Sequence, residues 1–290
     1  MASSSLSTPI DRDLNALAFR AAAGDRDALE RICIEIQDSV YRLALRFLDS
    51  PEDAEDCTQE ILIQVITHLG SFEGRSKFTT WVYTIASRYL VRTRKRRVEA
   101  SVQGAEPFAA WLDEHLAPEP YRADTAAEYR MLCDEVRIGC TYAMLLTLSR
   151  GLRIAYILGD LLEMTDQEGA EALGITPAAF RQRVARARQA VLPILAKRCG
   201  LVDPAGSCDC GRIVEPSIAC GLIPQGKPVL TRLQRERPTV DPAAFRRAAD
   251  QLDIAERFAG LFRVEPQFQA PASVLTELRR RCPDLLGEAT

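Results

Sequence analysis

Asp53-Ala-Glu-Asp-Cys-Thr-Gln-Glu60 leads, past a glycine-bearing break, into Phe78-Thr-Thr-Trp81 and then Arg92-Thr-Arg-Lys-Arg-Arg97. The first stretch belongs to a helix that can be derived residue by residue. Ser50 is a suitable N-cap, Pro51 suits the first helical position, and Glu52 and Asp53 favour the positive end of the helix dipole. Helical periodicity puts Ala54, Cys57, Ile61, Val65 and Leu69 on one face, the core side of a helix over 52–69. Opposite lie Glu52, Asp56, Gln59, Glu60 and Thr67, with Ile63 in their midst. An apolar side chain ringed by acids reads either as a docking spot or as a solvated face with one stray apolar residue.

A second helix is expected over 76–97. Phe78, Val82, Ile85 and Tyr89 line its inward face, while Tyr83, Thr84, Ser87, Val91, Arg94 and Lys95 form the other stripe. Cations neutralise phosphates and aromatic faces stack on unpaired bases, so this stripe suits single-stranded nucleic acid. A charged helix end that merely favours the negative pole of the dipole would look similar. Trp81 lies beside the apolar face and is expected to pack in the core.

Outward from these helices the chain divides by composition. Residues 1–13 form a disordered N-terminus and 14–97 a helical bundle. Residues 98–125, with Pro107, Pro118 and Pro120 among Glu106, Asp113, Glu114 and Glu119, read as a flexible acidic linker. Residues 126–198 are helical again, and 199–290 form a cysteine-containing extension with about two helices. There is no strand-like alternation of any length, so the fold class is all-α.

The second helical module carries helix-turn-helix punctuation. Thr165-Asp-Gln-Glu168 is a capping box that starts a helix at Asp166 and ends it near Leu173. Gly174 supplies a left-handed turn position, and Thr176-Pro177 restarts the chain as a second helix. On that helix Phe180, Val184, Ala187 and Val191 face inward, and Ala178, Gln182, Ala185, Arg186 and Gln189 face outward. Small residues allow close entry into a major groove. Gln182 and Arg186 have the donors for adenine and guanine edges, while Arg181, Arg183 and Arg188 suit phosphates.

The whole composition fits aimed contact with nucleic acid rather than general polyanion binding. The 290 residues carry a formal net charge of −3, yet arginines cluster in the two helices just described. No apolar run approaches the roughly 18 residues of a membrane span, and the N-terminus lacks a signal peptide's apolar core. A cytoplasmic protein with no membrane partner is expected. The two histidines, His68 and His115, lie beside no nucleophile, and there is no phosphate-cradling glycine loop, so no enzyme is expected.

The stretch from Asp53 to Arg97 closely resembles region 2 of the extracytoplasmic-function (ECF) sigma factors, promoter-recognition subunits of bacterial RNA polymerase. Ala170 to Arg188 resembles region 4 of the same family, although Ser149-Arg-Gly151 replaces a Pro-containing turn. The resemblance implies a protein that binds core polymerase, recognises −10 and −35 promoter elements and initiates transcription of a specific regulon. It implies polymerase contacts at Asp53, Asp56, Gln59, Glu60 and Ile63. It implies contacts with melted −10 DNA at Ser71, Phe72, Arg75 and Lys77 in the loop and at Thr80, Tyr83, Arg88, Arg94 and Lys95 on the helix. Duplex −35 contacts then fall to Ala178, Arg181, Gln182, Arg183, Arg186 and Arg188. A helix-turn-helix repressor or activator with a metal- or redox-sensing tail is the alternative.

The extension has no counterpart in a minimal member of that family. Cys199, Cys208, Cys210 and Cys220 form C-x8-C-x-C-x9-C, which reads either as a soft-metal site for zinc or a similar ion, or as unliganded thiols in a compact loop. Sigma function itself requires no cofactor. Cys33, Cys57, Cys133 and Cys140 fall in helical patterns and are expected as core thiols. Beyond them, a helix is expected from Asp241 to Phe262, with Phe245, Ala248, Leu252, Ala255 and Ala259 on one face, and another after Pro271. These helices are expected to pack on region 4 or region 2 and to regulate the sigma domains, in place of or beside an anti-sigma factor.

Overall fold

A computed structural model describes residues 9–94, 99, 104–224, 227–233, 253–263 and 268–283. Among them, α1 spans Pro9–Ala22, α2 Arg26–Leu48, α3 Pro51–His68 and α4 Phe78–Arg92. Further along, α5 spans Ala105–His115, α6 Ala126–Leu146, α7 Arg150–Tyr156, α8 Asp166–Leu173 and α9 Pro177–Arg198. In the extension, α10 is Gly211–Ala219, α11 Ile254–Arg263 and α12 Ala272–Arg281. The described residues contain no strand, only one isolated bridge between Cys199 and Cys208.

Contacts divide the chain into two compact units whose boundaries depart from the expected modules. The first unit takes residues up to Thr93, the stretch Thr165–Pro177 and the chain from Gln269 onward. The second takes Arg94–Met164 and Ala178–Phe268.

In the first unit, the α2–α3 corner follows from three adjacent residues. Asp49 closes α2 in the left-handed conformation (φ 54°), Ser50 accepts from the Asp53 N–H to open α3, and Pro51 takes the first helical position. Ile32, Val40, Tyr41, Phe47, Ile61, Leu62 and Val65 meet in the core between the two helices, together with Phe78, Val82 and Leu90 of α4. Lys77 offers α4 no side-chain cap; instead Asn15 of α1 accepts from the Phe78 N–H at 2.7 Å.

The second unit is built on α6, opened by Thr125 as N-cap. Leu112 of α5, Leu132 and Val136 of α6, and Ile213, Val214 and Ile223 from the extension form one buried cluster. The expected acidic linker thus contains a helix, α5, whose Ala109 and Leu112 are buried. Pro107 falls within the first turn of α5, where proline displaces no intrahelical hydrogen bond. Further core comes from α11: Phe262 stacks on Tyr142 at 6.1 Å between centroids and Phe258 on Tyr156 at 6.0 Å. The first half of the helix expected from Asp241 lies outside the described residues, as do residues 1–8 of the expected disordered N-terminus, whereas residues 9–13 of that stretch are helical and begin α1.

Candidate nucleic-acid interface and docking face

The acidic helix presents the face that its periodicity predicts. Ala54, Cys57, Ile61, Val65 and Leu69 are buried. Asp53, Gln59, Glu60 and Ile63 are half-buried and Asp56 is exposed. Part of this face already carries a neighbour within the first unit. Helix α12 packs along α3 and touches α2, with Val274 and Leu278 fully buried. Ser273 donates to Glu55, Arg281 pairs with Glu60, and Arg279 Nε lies 3.2 Å from Glu30 Oε1. Just before the helix, the Ala270 N–H donates to Asp38 at 2.9 Å.

The loop and helix after α3 divide the expected DNA contacts. Phe72 is buried, its ring 5.3 Å from Phe19, 5.2 Å from Phe78 and 5.7 Å from Trp81. It is a core residue of this unit and not an open base-stacking platform; the loop is short enough to fold its aromatic back on α4. Thr80 is likewise buried, on the inward face one turn before Thr84. Trp81 stacks on Phe78 at 5.6 Å, which places it in the packing. Ser71 is exposed and donates to the His68 carbonyl at 2.7 Å. Arg75 is exposed and pairs with Glu73 at 3.0 Å. Tyr83 is half-buried, and Arg88 and Arg94 are exposed; Lys95 lies outside the described residues.

Lys77 has a partner that the sequence did not suggest. Its ammonium lies 3.0 Å from Glu168 Oε1 on α8, and α8 packs against α4 in the same unit. Burial pushes the Glu168 carboxyl up, but hydrogen bonds from the Thr165 backbone and Lys77 outweigh it and hold the group below its ordinary value. Glu168 is also the third helical residue and the acidic member of the capping box, where it accepts from the Thr165 N–H at 3.0 Å while the Thr165 hydroxyl accepts from the Glu168 N–H.

Gly174 ends α8 at φ 63°, and Pro177 opens α9. On α9, Phe180, Val184, Ala187 and Val191 are buried; Ala178, Arg181, Gln182, Ala185, Arg186 and Gln189 are exposed, and Arg183 is half-buried. Gly159 permits the preceding π-helical turn to approach this helix, since a Cβ there would lie 3.0 Å from Val184 Cγ2. Arg188 departs from the expected phosphate-contacting set. Its guanidinium grips the buried Asp160 carboxylate with two bonds of 2.8 and 2.7 Å, and this hydrogen bonding raises its pKa further. A buried carboxylate needs such a counter-ion, so Arg188 is a structural partner.

Two buried charge sites lay outside the sequence reading. Glu99 receives Arg150 at 2.8 and 2.7 Å and Arg153 at 3.0 Å. Burial raises the Glu99 pKa, but the Arg150 hydrogen bonds and the two positive charges prevail and lower it. Arg153 also donates to the Leu145, Leu146 and Leu148 carbonyls, closing the end of α6. Ser149-Arg-Gly151 is therefore the start of an ion-pair site. Separately, buried Glu135 accepts three backbone N–H groups, from Val229, Leu230 and Thr231, at 2.7 to 2.8 Å.

The expected set Cys199, Cys208, Cys210 and Cys220 does not assemble. Cys220 is exposed at the end of α10. Cys199, Cys208 and Cys210 line a cavity of about 40 Å³ with Cys140 of α6. Cys140, expected as a core thiol, is half-buried, and its helical pattern gave no sign of these neighbours. Burial pushes the Cys140 and Cys210 thiols well up and Cys208 to about 12. Among the described residues, no group of three or more His, Cys, Asp or Glu side chains is arranged to hold a metal ion, and no helix is long and apolar enough to cross a membrane.

Comparison with known proteins finds two family regions in this chain. The Sigma-70 region 2 family model matches residues 35–99 and the Sigma-70, region 4 model residues 138–191. The probable RNA polymerase sigma-C factor of Mycobacterium bovis is 32% identical over 185 residues, covering 63% of this chain and 91% of that protein. The ECF RNA polymerase sigma-E factor of Escherichia coli is 30% identical over 181 residues, covering 60% and 90%. The solved structure of CnrH in complex with the cytosolic domain of CnrY is 20% identical, with a TM-score of 0.44, over 62% of this chain and 95% of that one.

Proposed function

Since this chain belongs to the ECF group of sigma-70 RNA polymerase sigma factors, we propose that its parts divide promoter recognition among three helices. Helix α3 docks on core polymerase through Asp53, Asp56, Gln59, Glu60 and Ile63. The loop after it and α4 hold opened −10 DNA through Ser71, Arg75, Lys77, Tyr83, Arg88, Arg94 and Lys95. Helix α9 reads the duplex −35 element with Ala178, Gln182 and Arg186 toward bases and Arg181 and Arg183 toward phosphates. The protein works in the cytoplasm, where polymerase and promoters are.

The observation that carries this reading is the outward face of α9. Small Ala178 and Ala185 flank exposed Gln182 and Arg186, while Phe180, Val184 and Ala187 fix the helix from behind. Such a face enters a major groove closely and carries donors matched to adenine and guanine edges. The test is run-off transcription with purified core polymerase on a promoter pool. Promoter-specific transcripts that disappear on Asp56→Arg and Ile63→Arg are expected. Duplex binding by the protein alone, with no initiation when core is present, would overturn the reading in favour of a repressor.

A further inference from the structure

We propose that α12 is a resident occupant of the polymerase-docking face, so that core polymerase must displace it before the sigma factor can engage. The proposal rests on the docking role assigned to α3.

The fit between α12 and this face is specific in charge and shape. The last turn of α12 carries Arg279, Arg280 and Arg281. Two of these reach acids on α2 and α3, Glu30 and Glu60, and Ser273 holds Glu55 one turn from the start of α3. Val274 and Leu278, one turn apart, are buried completely beneath the arginines. Glu60 belongs to the docking set, and Asp56 and Gln59 lie between it and Glu55. A helix packed at ordinary interaxial distance occupies the space that another helix would need. A partner that recognises this acidic, Ile-bearing face must itself be basic and apolar, which is the chemistry of α12. The two are therefore alternative occupants of one surface.

Nothing in the contact makes it irreversible. The Arg281–Glu60 and Arg279–Glu30 pairs are about one-third exposed and so are weakened by salt. Two apolar side chains anchor the helix, with Pro271 and the Ala270–Asp38 hydrogen bond fixing its start. Core polymerase then meets only the fraction of molecules in which α12 has left, and its apparent affinity falls by that fraction.

The experiment measures equilibrium binding of fluorescent full-length protein to purified core polymerase, with Val274→Asp/Leu278→Asp and Arg281→Glu beside the unaltered chain. Thermal melting confirms that the helical core persists in each. The variants are expected to bind core on the order of tenfold more tightly, and a synthetic peptide of residues 269–283 is expected to compete with core for the doubly substituted protein. Core affinity equal to or weaker than that of the unaltered chain would overturn the occlusion while leaving the sigma reading intact. If none of the three proteins binds core, the docking role of α3 fails, and the occlusion fails with it.

Discussion

Arg186 and Arg188 sit two residues apart on one helix and do different work, which mutation should separate. Arg186 is exposed, so Arg186→Ala is expected to leave thermal stability unchanged and to relax −35 sequence preference by about 1–3 kcal/mol in a holoenzyme binding assay. Arg188→Ala removes two hydrogen bonds from the buried Asp160 carboxylate, and because the Arg188 side chain is half exposed a loss of about 1–2 kcal/mol in denaturant unfolding is expected. The Glu99 site makes a pH prediction. The Glu99 pKa lies below its ordinary value of 4.5 in the folded chain, so its stabilisation is complete above that value and is lost as pH falls through the folded one. Glu99→Gln is expected to lower the melting temperature at pH 7 and to flatten its fall in acid; parallel melting curves across the acid range would refute this. None of these pairings was legible in sequence. Glu99 lies 51 residues from Arg150 and Asp160 lies 28 from Arg188, and periodicity records only which face of a helix a residue occupies. The same limit turned Phe72 from a loop aromatic into a core one.

At the scale of elements, the signals that sequence carries are local, and the local ones held. The Ser50 cap, the Thr165–Glu168 box and the Gly174 turn appear where their residue chemistry puts them. So do the buried stripes of α3 and α9. Helix α5 was missed because its apolar face spans only three turns and Pro107 read as a breaker. Helix α8 shows what a cap contributes: Thr165→Ala is expected to cost about 1 kcal/mol. Glu168→Ala is expected to cost more, since it also removes the Lys77 ion pair, and amide exchange along residues 166–173 would report both. For α12, burial of Val274 and Leu278 contributes about 1.5–3 kcal/mol each as an upper figure, and its partly exposed ion pairs at most about 1 kcal/mol each. Ordering the helix offsets much of this, which suits a contact made to be displaced.

The whole molecule follows the all-α class and the order of its two sigma regions, but its compact units cut across the modules that sequence suggested. A helix's own pattern does not say which surface will receive it, and so α8 joins the unit of α4 while α9 joins that of α6. The extension behaves likewise, giving α10 and α11 to one unit and α12 to the other. Its attachment to α6 depends on Glu135, and Glu135→Ala is expected to raise amide exchange at residues 229–231 strongly while leaving α3 and α4 protected. Unchanged exchange there would show that apolar packing alone holds the segment. The pairing of Arg281 with Glu60 also has a consequence in time. These residues are 221 positions apart, and at bacterial rates of about 5–20 residues per second the ribosome needs roughly 10–45 s to travel from one to the other. A newly made α3 therefore spends that interval uncovered. Under the proposed occlusion, each round of synthesis opens a short window in which nascent sigma can be claimed by polymerase, and only unclaimed chains go on to close.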